Sequence, residues 1–125
     1  MIKFMELRTS IQTLLKTLHS RVFFNVAPDK AVFPYVVFSI PNSFMDGVLE
    51  TFVLDIDVWD DKTDTTELET LIGTINNAIH RNTITITDKM GFTIHLENRL
   101  ILQDDDPRIQ RRKYVYQIRS YQNQY

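Results

Sequence analysis

Thr51–Trp59, with the sequence TFVLDIDVW, alternates apolar and polar residues with a period of two, as a β-strand with one buried face does. A second strand is predicted at Tyr35–Ile40, a run of β-branched and aromatic residues that follows Pro34. Between the two strands, Met45–Gly47 has the composition of a three-residue hairpin loop in which the glycine adopts the left-handed conformation. These stretches predict a long β-hairpin.

The length of the loop decides which residues of the hairpin face each other. A two-residue loop would place Phe38 opposite Asp55, which would put an acidic residue on the apolar face. A three-residue loop gives one continuous apolar face. We therefore predict the three-residue loop, which sets Ile40, Phe38 and Val36 opposite Phe52, Leu54 and Ile56.

Two other segments repeat apolar residues at spacings of three and four, which is typical of amphipathic helices. They span about residues 4–19 and about residues 65–80. Asp64 and Glu67 have the spacing of a capping box at the start of the second helix. The apolar face of this helix is predicted to pack on the hairpin through Leu68, Leu71, Ile72, Ile75 and Ile79.

The remaining strands complete the predicted fold. Two alternating stretches are predicted strands, Gly91–Glu97 and Lys113–Arg119, and shorter candidates lie at Val22–Phe24, Thr83–Ile86 and Leu100–Leu102. The order, roughly α-β-β-α-β-β, lacks the regular alternation of parallel-sheet proteins. The predicted fold class is α+β, an antiparallel-rich mixed sheet with two helices packed on it, in a single domain of residues 1–125.

Composition argues against several classes of protein. The absence of cysteine excludes disulfides, thiolate nucleophiles and cysteine-based zinc sites. The net charge of −2 disfavours a protein whose main task is to grip the nucleic-acid backbone. The longest apolar runs have the length of strands, so we expect no membrane segment and no signal peptide, and synthesis in the cytoplasm.

Acidic residues are the main candidates for chemistry. Asp55 and Asp57 alternate with core residues, Asp60 and Asp61 lie in a turn, and Asp104–Asp106 forms a run. Carboxylates can act as acid–base pairs or bind a hard cation, but charge runs are usually solvated. No histidine spacing, glycine-rich loop or nucleophile elbow accompanies them. We therefore expect no catalytic residue, no metal, no cofactor and no enzymatic activity.

Two surface features predict contacts with other chains. Apolar residues flank the hairpin turn, where polar residues are usual, although they could also fold back onto their own domain. Acidic and basic residues on two strand faces could pair within one sheet or across a subunit boundary. The predicted interface consists of Phe44, Met45, Val48, Leu49, Asp55, Asp57, Lys113 and Arg119.

The cluster Arg108–Lys113 is the strongest basic feature of the chain. It could contact phosphates, but aromatic residues do not interrupt the cluster itself, as they would in a platform for single-stranded nucleic acid. We favour pairing of these cations with acidic residues.

Three segments in order resemble the tail-completion, or tail-to-head joining, family of siphophages. They are Phe33–Phe38, then Ile56–Asp60 after the hairpin, and then the capped helix Thr65–Ile79. Their order and spacing carry the resemblance over about residues 33–80, whereas Gln103–Arg112 departs from the pattern of the family.

The resemblance implies a structural virion protein at the head-proximal end of the tail. Such a protein caps the tail tube as a subunit of a ring, usually a hexamer, and contacts the tail-tube protein and the head completion or connector proteins. DNA passes through the channel without sequence-specific binding, and no membrane is involved.

Two other functions remain open from the residues alone. A small-ligand or regulatory binding module would use Trp59, Tyr114 and Tyr116 to line a pocket. A metal-dependent hydrolase would need at least three carboxylates around one site.

Overall fold

A computed structural model describes residues 4–46, 49–87 and 90–122. Its two helices agree with the predicted ones to within one residue at each end, and none in the described residues is long and apolar enough to cross a membrane. The three short candidate strands are all present, one of them as the second half of a longer strand. The elements are α1 (Phe4–Leu18), β1 (Val22–Phe24), β2 (Tyr35–Asp46), β3 (Leu49–Asp60), α2 (Thr66–Ile79), β4 (Thr83–Thr87), β5 (Met90–Gln103) and β6 (Gln110–Gln122).

The strands form a six-stranded sheet in the order β1-β2-β3-β6-β5-β4. β1 pairs with β2 in parallel, and the other four pairings are antiparallel. The predicted α+β class with an antiparallel-rich mixed sheet is therefore confirmed. The last strand, β6, lies in the middle of the sheet between β3 and β5, so the two halves of the chain share one sheet.

The hairpin is present, but its predicted register is wrong. Asp46 pairs with Leu49, and Phe38 pairs with Ile56 rather than with Leu54. Only two residues separate the paired ends, and these two, Gly47 among them, lie outside the described residues, so the predicted conformation of Gly47 is not tested.

A β-bulge explains how a two-residue connection keeps the apolar face continuous. The register shifts between Ser39 and Asn42, where β2 contains one residue more than the facing part of β3. Pro41 lies in this bulge, where the missing N–H of proline breaks no regular ladder. The extra residue restores apolar pairing beyond the bulge, so loop length alone does not determine the register.

The core lies between the helices and one face of the sheet. The predicted face of α2 is confirmed, except that Leu71 is only partly buried. Removing these side chains from water supplies most of the driving force for folding. The buried residues include Leu7, Ile11 and Leu15 of α1, Leu68, Ile72, Ile75 and Ile79 of α2, and Val36, Phe38, Leu54, Ile56, Val58, Phe92, Ile94, Tyr116 and Ile118 of the sheet.

The start of α2 differs from the predicted capping box. Asp64 Oδ1 accepts hydrogen bonds from the N–H of Thr66, at 3.0 Å, and from its hydroxyl, at 2.7 Å, and these bonds lower the pKa of Asp64. Glu67 does not reach back to the backbone and instead pairs with Lys62, which lowers the pKa of Glu67. Glu67 therefore pairs with the exposed Lys62 instead of with the backbone N–H that it would contact in a capping box.

Candidate interaction surface

The sheet face opposite the helices is the candidate functional surface. Alternation along β3 and β6 directs one set of side chains to the core and the other set to this open face. The open-face set includes three of the predicted charged residues, Asp55, Asp57 and Lys113, and also Arg111 and Trp59. The tyrosines Tyr114 and Tyr116 lie on the helix side.

The charged residues of the open face pair within one chain. Lys113 lies opposite Asp57 in the β3–β6 ladder, and its Nζ is 3.8 Å from both Asp55 Oδ2 and Asp57 Oδ2. Arg111 Nε donates to Asp57 Oδ1 over 3.1 Å. Two carboxylates therefore face two cations, so pairing within the sheet, one of the two alternatives, is present. A role of these residues between subunits remains a prediction.

The two carboxylates differ in environment. Burial raises the pKa of Asp55, Lys113 opposes this shift, and the neighbouring Asp57 adds to it. Asp57 is only 8% exposed, and both of its oxygens lie near a cation. The acidic strand face is therefore partly covered and is paired with cations.

Arg119 is separated from this network. It lies opposite Thr51 and Thr93, towards the hairpin end of the sheet, and it is exposed. Its Nη2 is 3.3 Å from Gln117 Oε1, and no ion pair to Arg119 occurs among the described residues. Arg119 can therefore pair with an acidic residue of another chain.

Tyr35 and Trp59 form an aromatic stack on the same face that the sequence analysis missed. Their rings face each other across the β2–β3 pair, with centroids 6.1 Å apart and planes inclined by 14°. The Arg111 guanidinium lies 4.4 Å from the Trp59 ring centre, a cation–π contact. These residues border a shallow pocket of about 250 Å³ that also includes Asn25 and Pro28. The stack depends on a cross-strand pair that the wrong register had concealed.

The pocket residues of the alternative binding module do not come together. Tyr116 is completely buried under α2, whereas Trp59 lies on the opposite face of the sheet. Tyr114 packs beside Tyr116, with the Arg99 guanidinium 5.4 Å from its ring centre. The predicted pocket of Trp59, Tyr114 and Tyr116 is therefore wrong.

The hairpin end exposes two apolar side chains. Phe44 is 47% exposed and Met45 is 57% exposed, so about half of each side chain is open to solvent. Val48 and the side chain of Leu49, the other two predicted contacts, lie outside what the structure describes. The part of the tip that is described offers apolar surface to another chain.

Asp60 is an exception to the expectation that the acidic residues are solvated. It is completely buried, its Oδ1 accepts a hydrogen bond from the N–H of Asp61 over 2.8 Å, and its Oδ2 has no partner among the described residues. Burial raises the pKa of Asp60. The described residues contain no group of three acidic or histidine side chains placed to hold a metal ion.

The basic cluster is paired within the chain. Arg108 pairs with Asp106, which lowers the pKa of Asp106, and Arg112 Nε donates to Glu69 Oε1 of α2 over 2.5 Å. With Arg111 and Lys113 on Asp57, all four of its cations have carboxylate partners. The structure therefore has the pairing that the sequence analysis favoured over phosphate contacts.

Fold and surface together define a small α+β protein in which both helices cover one face of a mixed sheet and the other face stays open. The model of the family "Tail completion protein gp17" matches residues 6–121, which include the departing stretch Gln103–Arg112. The chain belongs to this tail completion family and is a structural protein of a bacteriophage tail, located in the virion. The family resemblance predicted from the sequence is confirmed.

Solved structures share this fold. The chain resembles a chain of the "Virion of native gene transfer agent (GTA) particle" with a TM-score of 0.63 and 14% sequence identity. The alignment covers 94% of this chain and 90% of that chain. At this identity, the similarity concerns the fold. No significant match was found among curated protein sequences.

Proposed function

We propose that the protein terminates the tail tube of a long-tailed bacteriophage and joins it to the head connector, as a non-enzymatic subunit of a hexameric ring. The observation that carries this proposal is the match of the tail completion family over residues 6–121. Its partners are other copies of the chain, the tail-tube protein and the head completion or connector proteins.

The charge balance of the open face suits a surface that DNA passes. Asp55 and Asp57 are offset by Arg111 and Lys113 within hydrogen-bonding or ion-pair distance. A surface that neutralised many phosphates would release counterions and hold the DNA tightly. A balanced face avoids that attraction, so DNA can move through the ring without sequence-specific contacts.

The hairpin tip supplies an apolar contact for the tail-tube protein. Phe44 and Met45 are both exposed at one end of the sheet, and Val48 and Leu49 continue the apolar sequence. Exposed apolar patches on small proteins commonly mark contacts with partners. Arg119 at the same end adds a positive charge at the rim of this contact.

An assembly experiment tests the proposal. Purified tail-tube protein is polymerised with and without this protein, and tube lengths and ends are examined by electron microscopy. We expect the protein to bind one end of the tubes as a ring and to stop their growth. Tubes of unchanged length with bare ends would contradict the proposal.

A matched pair of variants tests the tip. The double variant Phe44→Ser/Met45→Ser is expected to weaken binding to tube ends at least tenfold. Val32→Ser, which alters an apolar residue 64% exposed elsewhere on the surface, is the control and should bind normally. Equal binding by both variants would remove the tip from the contact.

A further inference from the structure

Two strand segments at opposite edges of the sheet lack a hydrogen-bonded neighbour on their outer side within the described chain. β1 pairs with only Val36–Phe38 of β2, which leaves the β2 edge, Ile40–Met45, open. β4 pairs with β5 only up to Thr93, which leaves the β5 edge, Asn98–Gln103, open. Because β1 and β4 are short, each covers only about half of one sheet edge. The two uncovered halves lie diagonally opposite each other.

Both edges are exposed and partly apolar. Phe44 and Met45 on the β2 edge are about half exposed, and Ile101 on the β5 edge is 73% exposed. Natural proteins usually protect an open edge with lysine or a covering segment, because unpaired N–H and C=O groups attract another strand. The β2 edge contains no lysine or arginine, and Pro41 interrupts it only at its bulged end. Such edges are suited to pairing with another chain.

The directions of the two edges match. β2 and β6 run one way and β3 and β5 the other, because each neighbouring pair between them is antiparallel. When the β5 edge of one copy is placed beside the β2 edge of the next, the two strands are therefore antiparallel, as a regular ladder requires. Each copy then uses two different surfaces, the heterologous contact from which closed rings are built.

The offset between the edges also fits a closed ring. Ile101 lies in the same row as Arg112 and Val58, whereas Ser43 of the β2 edge lies opposite Phe52. The separation of Val58 and Phe52 along β3 is six residues (58 minus 52), roughly 20 Å, and the four strands β2, β3, β6 and β5 that repeat from copy to copy span roughly 19 Å. Bringing the edges level inclines the strands by about 45° to the ring axis, at the upper end of the range of closed sheets.

We propose that the β5 edge of one copy pairs antiparallel with the β2 edge of the next, so that the sheet continues from subunit to subunit. The inference rests on the proposed ring-forming function and identifies the partner of each edge as a second copy of this chain. The helices stay on one side of the extended sheet, and the face of Asp57, Arg111 and Lys113 stays on the other.

Engineered disulfides test this pairing, because the chain contains no cysteine and each introduced thiol has no native competitor. Single cysteines are placed at Asn42, Ser43 or Phe44 and combined in one chain with a cysteine at Arg99, Ile101 or Gln103. Under oxidation, in solution and on tail tubes, we expect at least one combination to form a ladder of multimers up to the ring. Val32→Cys combined with Ile101→Cys is the control and should form no ladder.

Variants with a single cysteine distinguish pairing of the β5 edge with the β2 edge from pairing of two identical edges. A disulfide dimer of Ser43→Cys alone would indicate that two β2 edges pair with each other, and this result would overturn the proposal. Absence of a ladder in every combination, in solution and on tubes, would also overturn it. A ladder in the control as strong as in the edge combinations would have the same consequence.

A backbone variant tests the hydrogen bonds themselves. Ile94 and Leu96 donate their N–H groups outward, to Asn82 O and His80 Nδ1. The bulge between Leu96 and Asn98 shifts the alternation by one residue, which turns the N–H of Ile101 outward. Ile101→Pro therefore removes an outward donor without breaking the ladder to β6, and Ile101→Ala removes the side chain but keeps the N–H.

We expect Ile101→Pro to remain folded by circular dichroism and to lose ring formation, while Ile101→Ala retains rings. Rings formed equally well by a folded Ile101→Pro variant would contradict edge pairing. The tube-length assay on the unaltered protein is independent of this result. If the unaltered protein stops tube growth and edge variants do so equally well, the pairing is wrong; if the unaltered protein leaves tubes uncapped, the proposed function is wrong.

Discussion

The Tyr116 hydroxyl donates a hydrogen bond to Asn76 Oδ1 over 2.9 Å, which joins the central strand β6 to helix α2. The Tyr116 side chain is completely buried, and this burial raises the pKa of its hydroxyl far above the ordinary value. A buried hydroxyl without a partner would cost free energy, so Asn76 makes this large residue compatible with the core.

Replacing Tyr116 with phenylalanine should lower the free energy of unfolding by about 0.5–1.5 kcal/mol, because the hydrogen bond is lost while the ring still fills the core. Urea denaturation measures the change. Tyr114→Phe is the matched control, since no hydrogen bond of the Tyr114 hydroxyl occurs among the described residues, and its effect should be smaller. An equal loss in both variants would show that the bond to Asn76 does not contribute.

The packing of α2 gives a graded prediction. Ile75 is completely buried, so Ile75→Ala should lower the free energy of unfolding by roughly 2–5 kcal/mol. Leu71 is only partly buried, so Leu71→Ala should cost clearly less. Chemical denaturation of both variants checks the order, and a larger loss for Leu71→Ala would contradict the placement of the helix.

Reversing the charge of Asp57 should destabilise the monomer. Asp57→Lys places a third cation beside Arg111 and Lys113 in a buried site, and the expected loss is about 3 kcal/mol. The melting temperature of the variant measures the loss.

The second-site change distinguishes pairing within the sheet from pairing between subunits. Adding Lys113→Asp should restore part of the melting temperature, because residue 113 lies opposite residue 57 in the same chain. Adding Arg119→Asp should restore none, because Arg119 lies opposite Thr51. Rescue by Arg119→Asp together with recovered rings would instead favour contact across a subunit boundary.

Asp60 should make stability depend on pH. Burial raises its pKa in the folded protein, so between the ordinary value of about 3.9 and the raised value the folded state binds more protons than the unfolded state. The contribution of Asp60 is therefore present below the ordinary pKa and is lost as the pH rises through the raised one.

The variant Asp60→Asn keeps the acceptor for Asp61 N–H without the charge. The free energy of unfolding of Asp60→Asn minus that of the unaltered protein should be larger at pH 7 than at pH 4. Denaturation curves at a series of pH values measure this difference. Asp61→Asn, at an exposed neighbouring carboxylate, is the control for the loss of one charge, and a difference for Asp60→Asn that falls with rising pH would contradict the assignment.

The hairpin shows where local patterns stop being sufficient. Alternation in Thr51–Trp59 identified the buried face of β3, and that face is buried as predicted. The loop length was wrong because a two-residue connection and the bulge near Pro41 compensate each other. Either the short connection or the bulge alone would misplace the apolar face. Together they leave the alternation of apolar and polar residues unchanged, so the pattern does not reveal them.

The sequence by itself determined the type of each element and the side of each that is buried, because those depend on periodicities of two and of about 3.6 residues within one segment. Only the tertiary structure decided that β6 lies between β3 and β5, and therefore that Lys113 and Arg111 pair with Asp57 within one chain. Pairing across 54 residues depends on which strands become neighbours when the sheet assembles, and no local pattern encodes that choice.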